Sequence, residues 1–142
     1  MAISQAVCNS FKQQILDGIH DFESGGDVFK LALYSSAANL SAATTVYTST
    51  NEVGDTGQYA AGGGVLTSQQ TSLDGSVAIV DFADLSFTGV TLTARGALIY
   101  NTSESTKAVC VLDFGADKTA TSGTFTIQFP AFTSAAAILR IA

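Results

Sequence analysis

Tryptophan is absent from this sequence, and histidine, proline and methionine occur once each. Cations are scarce as well: six Lys and Arg stand against 12 Asp and Glu, and charged residues fill only 13% of 142 positions. A soluble domain ordinarily carries about 25%. Each shortage excludes something. Nucleic-acid binding needs clustered Lys and Arg to neutralise phosphates, whereas Lys12, Lys30, Arg95, Lys107, Lys118 and Arg140 are scattered singly in a chain of net charge −6. The same scarcity disfavours an anionic membrane surface. No stretch approaches the ~20 consecutive apolar residues that a bilayer-crossing helix requires, and the opening Met-Ala-Ile-Ser-Gln-Ala has neither the basic nor the apolar region of a secretory signal.

A single histidine leaves Ser-His-Asp and Cys-His catalysis only His20 as base. Placed just after an expected helix, His20 reads as a residue set against the helix dipole or simply exposed. Structural zinc takes about four Cys or His ligands, and Cys8, Cys110 and His20 are the only three. Two distant cysteines build no disulfide framework. They read as free buried thiols in a chain made in a reducing cytoplasm.

In place of charge the chain has Ala, Ser and Thr at 53 positions and Gly at 13, while 46% of its residues are hydrophobic. That composition excludes intrinsic disorder and fits one domain over 1–142. Ile3, Val7, Phe11 and Ile15 recur at intervals of four and predict a helix over 3–17, with Ser4 as N-cap and Gly18 as the left-handed residue beyond its end. Residues 1–22 are therefore expected to hold the helix and its exit.

From residue 28 the period becomes 2. Strands are predicted at Val28–Tyr34, Thr44–Thr50, Ser76–Phe82, Thr91–Tyr100, Lys107–Phe114 and Gly123–Phe129. Shorter ones are predicted at Val65–Gln70, Leu85–Thr88 and Ala136–Ile141, and Pro130 closes a strand. With no helices between them, these strands exclude a parallel α/β sheet and predict a mainly β protein, an antiparallel β-sandwich, jelly roll or closed barrel over 28–142, with one N-terminal amphipathic helix. Residues 51–64 form a long Gly-rich loop of the kind that is functional or mobile.

The motifs carry little chemistry. Asp55-Thr56-Gly57 matches the aspartic-protease triplet, but Gly54 precedes it where that family has apolar strand residues, and an Asx-type turn is the simpler reading. Asp81 with Asp84, and Asp113 with Asp117, are the acidic pairs to test. Capping of turns is expected, with a cation site as the alternative. Gly62-Gly63-Gly64 lacks the Lys and helix of a phosphate loop. No catalytic constellation, cofactor site or metal site emerges.

Several segments resemble a family of small virion proteins of tailed bacteriophages: Met1-Ala-Ile-Ser-Gln-Ala-Val7, Asn9-Ser-Phe-Lys-Gln-Gln-Ile-Leu16, Val28-Phe-Lys-Leu-Ala-Leu-Tyr-Ser-Ser36, Val80-Asp-Phe-Ala-Asp84, Ala94-Arg-Gly-Ala-Leu-Ile-Tyr-Asn101, Val111-Leu-Asp-Phe-Gly115, Phe125-Thr-Ile-Gln-Phe-Pro130 and Ile138-Leu-Arg-Ile-Ala142. The likeness spans nearly the whole chain. It implies a jelly-roll-like capsid cement, or decoration, protein that sits on the outer surface of the shell and ties capsomers together. It also implies the major capsid protein as partner and a homo-oligomer, a dimer rather than a trimer. No catalytic residues come with such a family.

The expected contact residues are the helical stripe Ile3, Val7, Phe11 and Ile15, with Tyr47, Asp55 and Tyr59 in and beside the Gly-rich loop. The other reading of the stripe is packing on the protein's own sandwich. The competing functions are a tail or tail-fibre component and a carbohydrate- or receptor-binding β-sandwich, for which Tyr47 and Tyr59 are the best aromatic candidates.

Overall fold

The computed structural model describes residues 2–142. The chain is mainly β, with two antiparallel sheets and one short helix. In chain order the elements are β1 (Ala6–Val7), α1 (Asn9–Leu16), β2 (Phe29–Tyr34), β3 (Gly64–Val65), β4 (Gln70–Asp74), β5 (Val77–Asp81), β6 (Leu85–Asn101), β7 (Lys107–Ile127) and β8 (Leu139–Ile141). One sheet has the order β1-β7-β6-β2-β3 and the other β4-β5-β8.

The larger sheet is built on the β6–β7 hairpin, closed by a 3-10 turn over Thr102–Glu104 that Asn101 caps by accepting from the Ser103 amide. β2 lies against the β6 half nearest that turn, Phe29 opposite Asn101 through Tyr34 opposite Gly96. The alternation in β2 puts Phe29, Leu31 and Leu33 on one face as the sequence implies. Ala32 and Tyr34 on the other face are buried too, because the segment after residue 46 folds back over them: Tyr34 Oη donates to Thr48 O at 2.6 Å.

Beyond Gly96, β6 and β7 continue as a two-stranded ribbon, Ala94 opposite Lys118 to Leu85 opposite Ile127. Two strands were expected along each of these stretches, and each is one strand bent by bulges. The register shifts between Phe87 and Val90, where Gly89 has φ +64°, and between Ala94 and Gly96. Opposite the second shift Gly115 has φ +80° and donates its N–H to Asp113 Oδ1 at 2.9 Å. An extra residue in a ladder bends a strand without ending it, so glycine here marks a kink and not a turn.

The N-terminus departs most from expectation. The helix covers 9–16, not 3–17, and its N-cap is Cys8 with no side-chain cap bond, not Ser4. Ala6 and Val7 pair with Val111 and Cys110, the Cys8 amide donates to Val109 O, and Ile3 bridges Leu40. Beside an unpaired edge of β7, Ala6 and the β-branched Val7 gain more from a ladder than from a first helical turn. The far end agrees with the reading: Gly18 has φ +73°, its N–H reaches Ile15 O, and the Ile19 N–H reaches Gln14 O, the paired bonds of a Schellman motif.

Thr44–Thr50 is no strand. It touches the start of β7 through a Val46–Lys107 bridge and bonds from Tyr47 and to Thr45. It is β-branched but has no alternating apolar face to bury, and propensity alone holds no ladder. Val65–Gln70 is likewise broken into β3 and the first residue of β4, Ser76–Phe82 is trimmed to β5, and Ala136–Ile141 to β8.

Candidate functional site

The stripe residues turn inward. Ile3 and Phe11 are buried in the main core, and Val7 and Ile15 are partly buried against it. Phe11 belongs to an aromatic stack with His20 and Phe22, ring centroids 4.8 and 5.9 Å away, and Phe22 lies flat on Phe29 at 4.4 Å. Of the apolar side chains of the helix, Leu16 alone is exposed, at 88%.

His20 is neither exposed nor poised on the helix dipole. It is buried beside Phe11, with Nε2 2.8 Å from Gln14 Oε1 and Nδ1 3.0 Å from Asn101 Nδ2. An amide nitrogen only donates, so Nδ1 is the acceptor and the ring is the neutral tautomer protonated on Nε2. Burial lowers the His20 pKa, the nearby Asp27 carboxylate opposes that, and Lys107 reinforces it. Asn101, fully buried, also donates to Asp27 Oδ2 at 2.8 Å. The network ties the exit of the helix to the end of β6, and its one base already has both nitrogens engaged.

The Gly-rich loop is organised around Glu52, a residue that sequence reasoning missed. Glu52 Oε2 accepts from Tyr59 Oη at 2.7 Å and from the Gly62 amide at 2.6 Å, while Tyr47 donates to Oε1. Tyr59 Oη in turn accepts from the Leu33 amide of β2 at 2.8 Å. Tyr100 stacks on Tyr47, centroids 4.7 Å apart, and donates to Gly62 O. With Tyr34 close by, all four tyrosines of the chain gather at this carboxylate. Burial, then proximity to Glu52, pushes the Tyr100 phenol up to about 12, and burial raises Tyr34, Tyr47 and Tyr59 further. These phenols are held protonated as donors. They are not activated as nucleophiles.

Two glycines of the loop are required by close approach. A Cβ on Gly63 would lie 1.9 Å from Leu31 O, and one on Gly57 2.1 Å from Gly89 O. Both have positive φ, which glycine adopts without strain. Asp55 is exposed, and its Oδ1 accepts from the Ala61 amide at 2.7 Å, closing the loop across six residues in place of the expected Asx-type turn. Tyr59 is buried and Tyr47 half-buried. The only expected contact residue of this region that faces solvent freely is therefore Asp55.

One member of each acidic pair, Asp84 and Asp113, serves as a cap or strut. Asp84 accepts from the Phe129 amide, and Asp113 binds Arg95 at 3.1 Å as well as the Gly115 amide, which together lower its pKa. Among the described residues no group of three or more His, Cys, Asp or Glu gathers where a metal ion would sit. Cys8 and Cys110 are free and buried, and burial raises their thiols to about 11 and about 12.

What the surface offers instead is hydroxyl groups. Along the β6–β7 ribbon the buried positions are Phe87, Val90, Leu92, Ala94, Ala120, Phe125 and Ile127, and the positions that alternate with them are exposed. These are Ser86, Thr88, Thr91 and Thr93 on β6 and Thr119, Thr121, Thr124 and Thr126 on β7. Ser86 and Thr126, and Thr93 and Thr119, meet across the ladder with hydroxyl oxygens 2.9 Å apart. Eight hydroxyl residues make one outward face without a charge. The signal was in the sequence as Ser-x-Thr and Thr-x-Thr at 86–88, 91–93, 119–121 and 124–126.

A groove of about 700 Å³ lies between α1 and the second sheet, floored by Ile15, Ile79, Val80 and Leu139 and rimmed by Leu16 and Ile141. Compared with protein-family models, with curated proteins and with solved structures, the chain matches none.

Proposed function

We propose that the chain is a non-enzymatic virion structural protein: a cement, or decoration, protein that binds the outer surface of a tailed-phage capsid and stabilises contacts between capsomers. Its partner is the major capsid protein, its assembled state a homo-oligomer, and its place the virion exterior after synthesis in the bacterial host cytoplasm. The jelly-roll-like form of its sandwich belongs to the same reading.

The observation that carries the reading is the uncharged hydroxyl face of the β6–β7 ribbon. Covering a charged surface costs several kcal/mol per ion unless each ion finds a partner. Covering threonines removes apolar methyl area from water, at ~25 cal/mol per Å², and leaves hydroxyls that both donate and accept. Such a face suits a broad, flat contact repeated over a shell, where many modest contacts act together. The inward-facing tyrosines favour this over a sugar-binding module, because Tyr34, Tyr59 and Tyr100 have no ring face free for stacking.

The test is co-sedimentation of the purified chain with capsids lacking it. Saturable binding at a fixed copy number per capsomer, reduced by Lys substitution in the hydroxyl face, supports the reading. A chain that stays in the supernatant overturns it.

A further inference from the structure

Of the strands that end a sheet, β1 and β3 have two residues each and β8 three, short enough to offer a neighbour little. β4 is different. It is five residues long, pairs with β5 in an unbroken register from Gln70–Asp81 to Asp74–Val77, and is exposed at every residue. Its sequence, Gln-Thr-Ser-Leu-Asp, has no Pro, no Lys and no bulge, and its one charge, Asp74, stands at the end.

The two-residue loop at Gly75-Ser76 closes the hairpin on Asp74 and Val77, so Asp74, Ser72 and Gln70 exchange both backbone bonds with β5. The N–H and C=O of Thr71 and Leu73 then point to the open edge. Among the described residues no other backbone group bonds to them, and the one side-chain contact is the long 3.5 Å approach of Ser72 Oγ to Leu73 O. Leu73 itself is 72% exposed.

We infer that β4 is a homodimer interface, at which two copies pair antiparallel about a two-fold axis through Ser72 and join two three-stranded sheets into one of six. The occupant is a second copy because the strand is complementary to itself in this register. Thr71 exchanges both bonds with the partner's Leu73, and Ser72 faces its own equivalent. Gln70 meets the partner's Asp74, so the only charge on the strand is never opposite a like charge. A two-fold contact of this kind is isologous and closes at two subunits. The inference deepens the homo-oligomer part of the proposed function and rests on that reading only there.

The full chain, purified without virions, is measured by light scattering after size exclusion. The wild type is expected at twice the monomer mass and Thr71→Pro at the monomer mass with an unchanged circular dichroism spectrum. That substitution removes an N–H from the open edge and none from the β4–β5 ladder. Register is read independently by oxidation of Ser72→Cys and Gln70→Cys. In a non-hydrogen-bonded pair the two Cα atoms at position 72 lie about 4.5 Å apart, within the roughly 4.4–6.8 Å a disulfide spans. At position 70 they lie about 13 Å apart or more. Cross-linking at 72 and not at 70 is expected, with Cys8 and Cys110 too buried to compete.

A monomeric or trimeric wild type, a dimer that survives Thr71→Pro, or equal cross-linking at both positions overturns the inference. If Thr71→Pro does not fold, the cysteine pair decides alone, and no cross-link at 72 overturns it. A monomer that still binds capsids would sink this interface and leave the proposed function standing; a dimer that ignores capsids would do the reverse.

Discussion

Glu52 shows how much one half-buried side chain holds. Its carboxylate accepts from Tyr47, Tyr59 and the Gly62 amide, and Tyr59 is buried. Glu52→Ala strands these donors, and a buried donor without a partner costs about 1–3 kcal/mol. The variant is expected to lose at least that much in urea unfolding, while Glu52→Gln, which keeps one acceptor oxygen, loses less. His20 gives a pH signature of definite sign. Its folded pKa lies below the ordinary 6.5 because burial disfavours the cation, so the unfolded chain binds the proton more readily. The stabilisation from neutral His20 is fully present above about pH 6.5 and is lost as pH falls below it. Unfolding midpoints followed between pH 7.5 and 5 are expected to drop for the wild type and to flatten for His20→Gln; a midpoint independent of pH there would contradict the buried neutral tautomer. Neither residue was legible in the sequence. The four tyrosines at 34, 47, 59 and 100 and the partners of His20 at 14 and 101 are brought together only by folding.

Among the elements, those with a buried face were legible and those without one were not. β2 and the core halves of β6 and β7 carry alternating apolar residues, and the Gly18-Ile19 pair ends α1 with the bonds its sequence implies. The expected helix over 3–8 fails because a spacing of four also suits an edge strand once β7 offers a free ladder. β4 escaped because all five of its residues are exposed, leaving no pattern to read. The β6–β7 ribbon tests the surface account at this scale. Thr88 and Thr124 are exposed, and among the described residues neither hydroxyl has a hydrogen-bond partner. Thr88→Lys with Thr124→Lys is expected to change stability by no more than about 0.5 kcal/mol per site, as surface substitutions do, and to abolish capsid binding through two desolvated charges. Full binding by a folded double variant would remove the hydroxyl face from the interface.

For the whole molecule, scarcity of charge is the property that the structure sharpens. Part of the acidic excess of a chain at −6 is engaged within the protein, Glu52 and Asp27 half-buried among their donors and Asp113 paired with Arg95 nearer the surface, while the ribbon presents hydroxyls. Its only histidine and three of its four tyrosines are buried, and under the proposed function the hydroxyl face is the part that a neighbour covers. The proposed function depends on where that neighbour is. Imaging purified virions and counting copies of this chain tests it most directly. Hundreds of copies on the outer surface of the head, at fixed positions between capsomers, are the predicted result, and a few copies confined to the tail, or none on the virion, would contradict it.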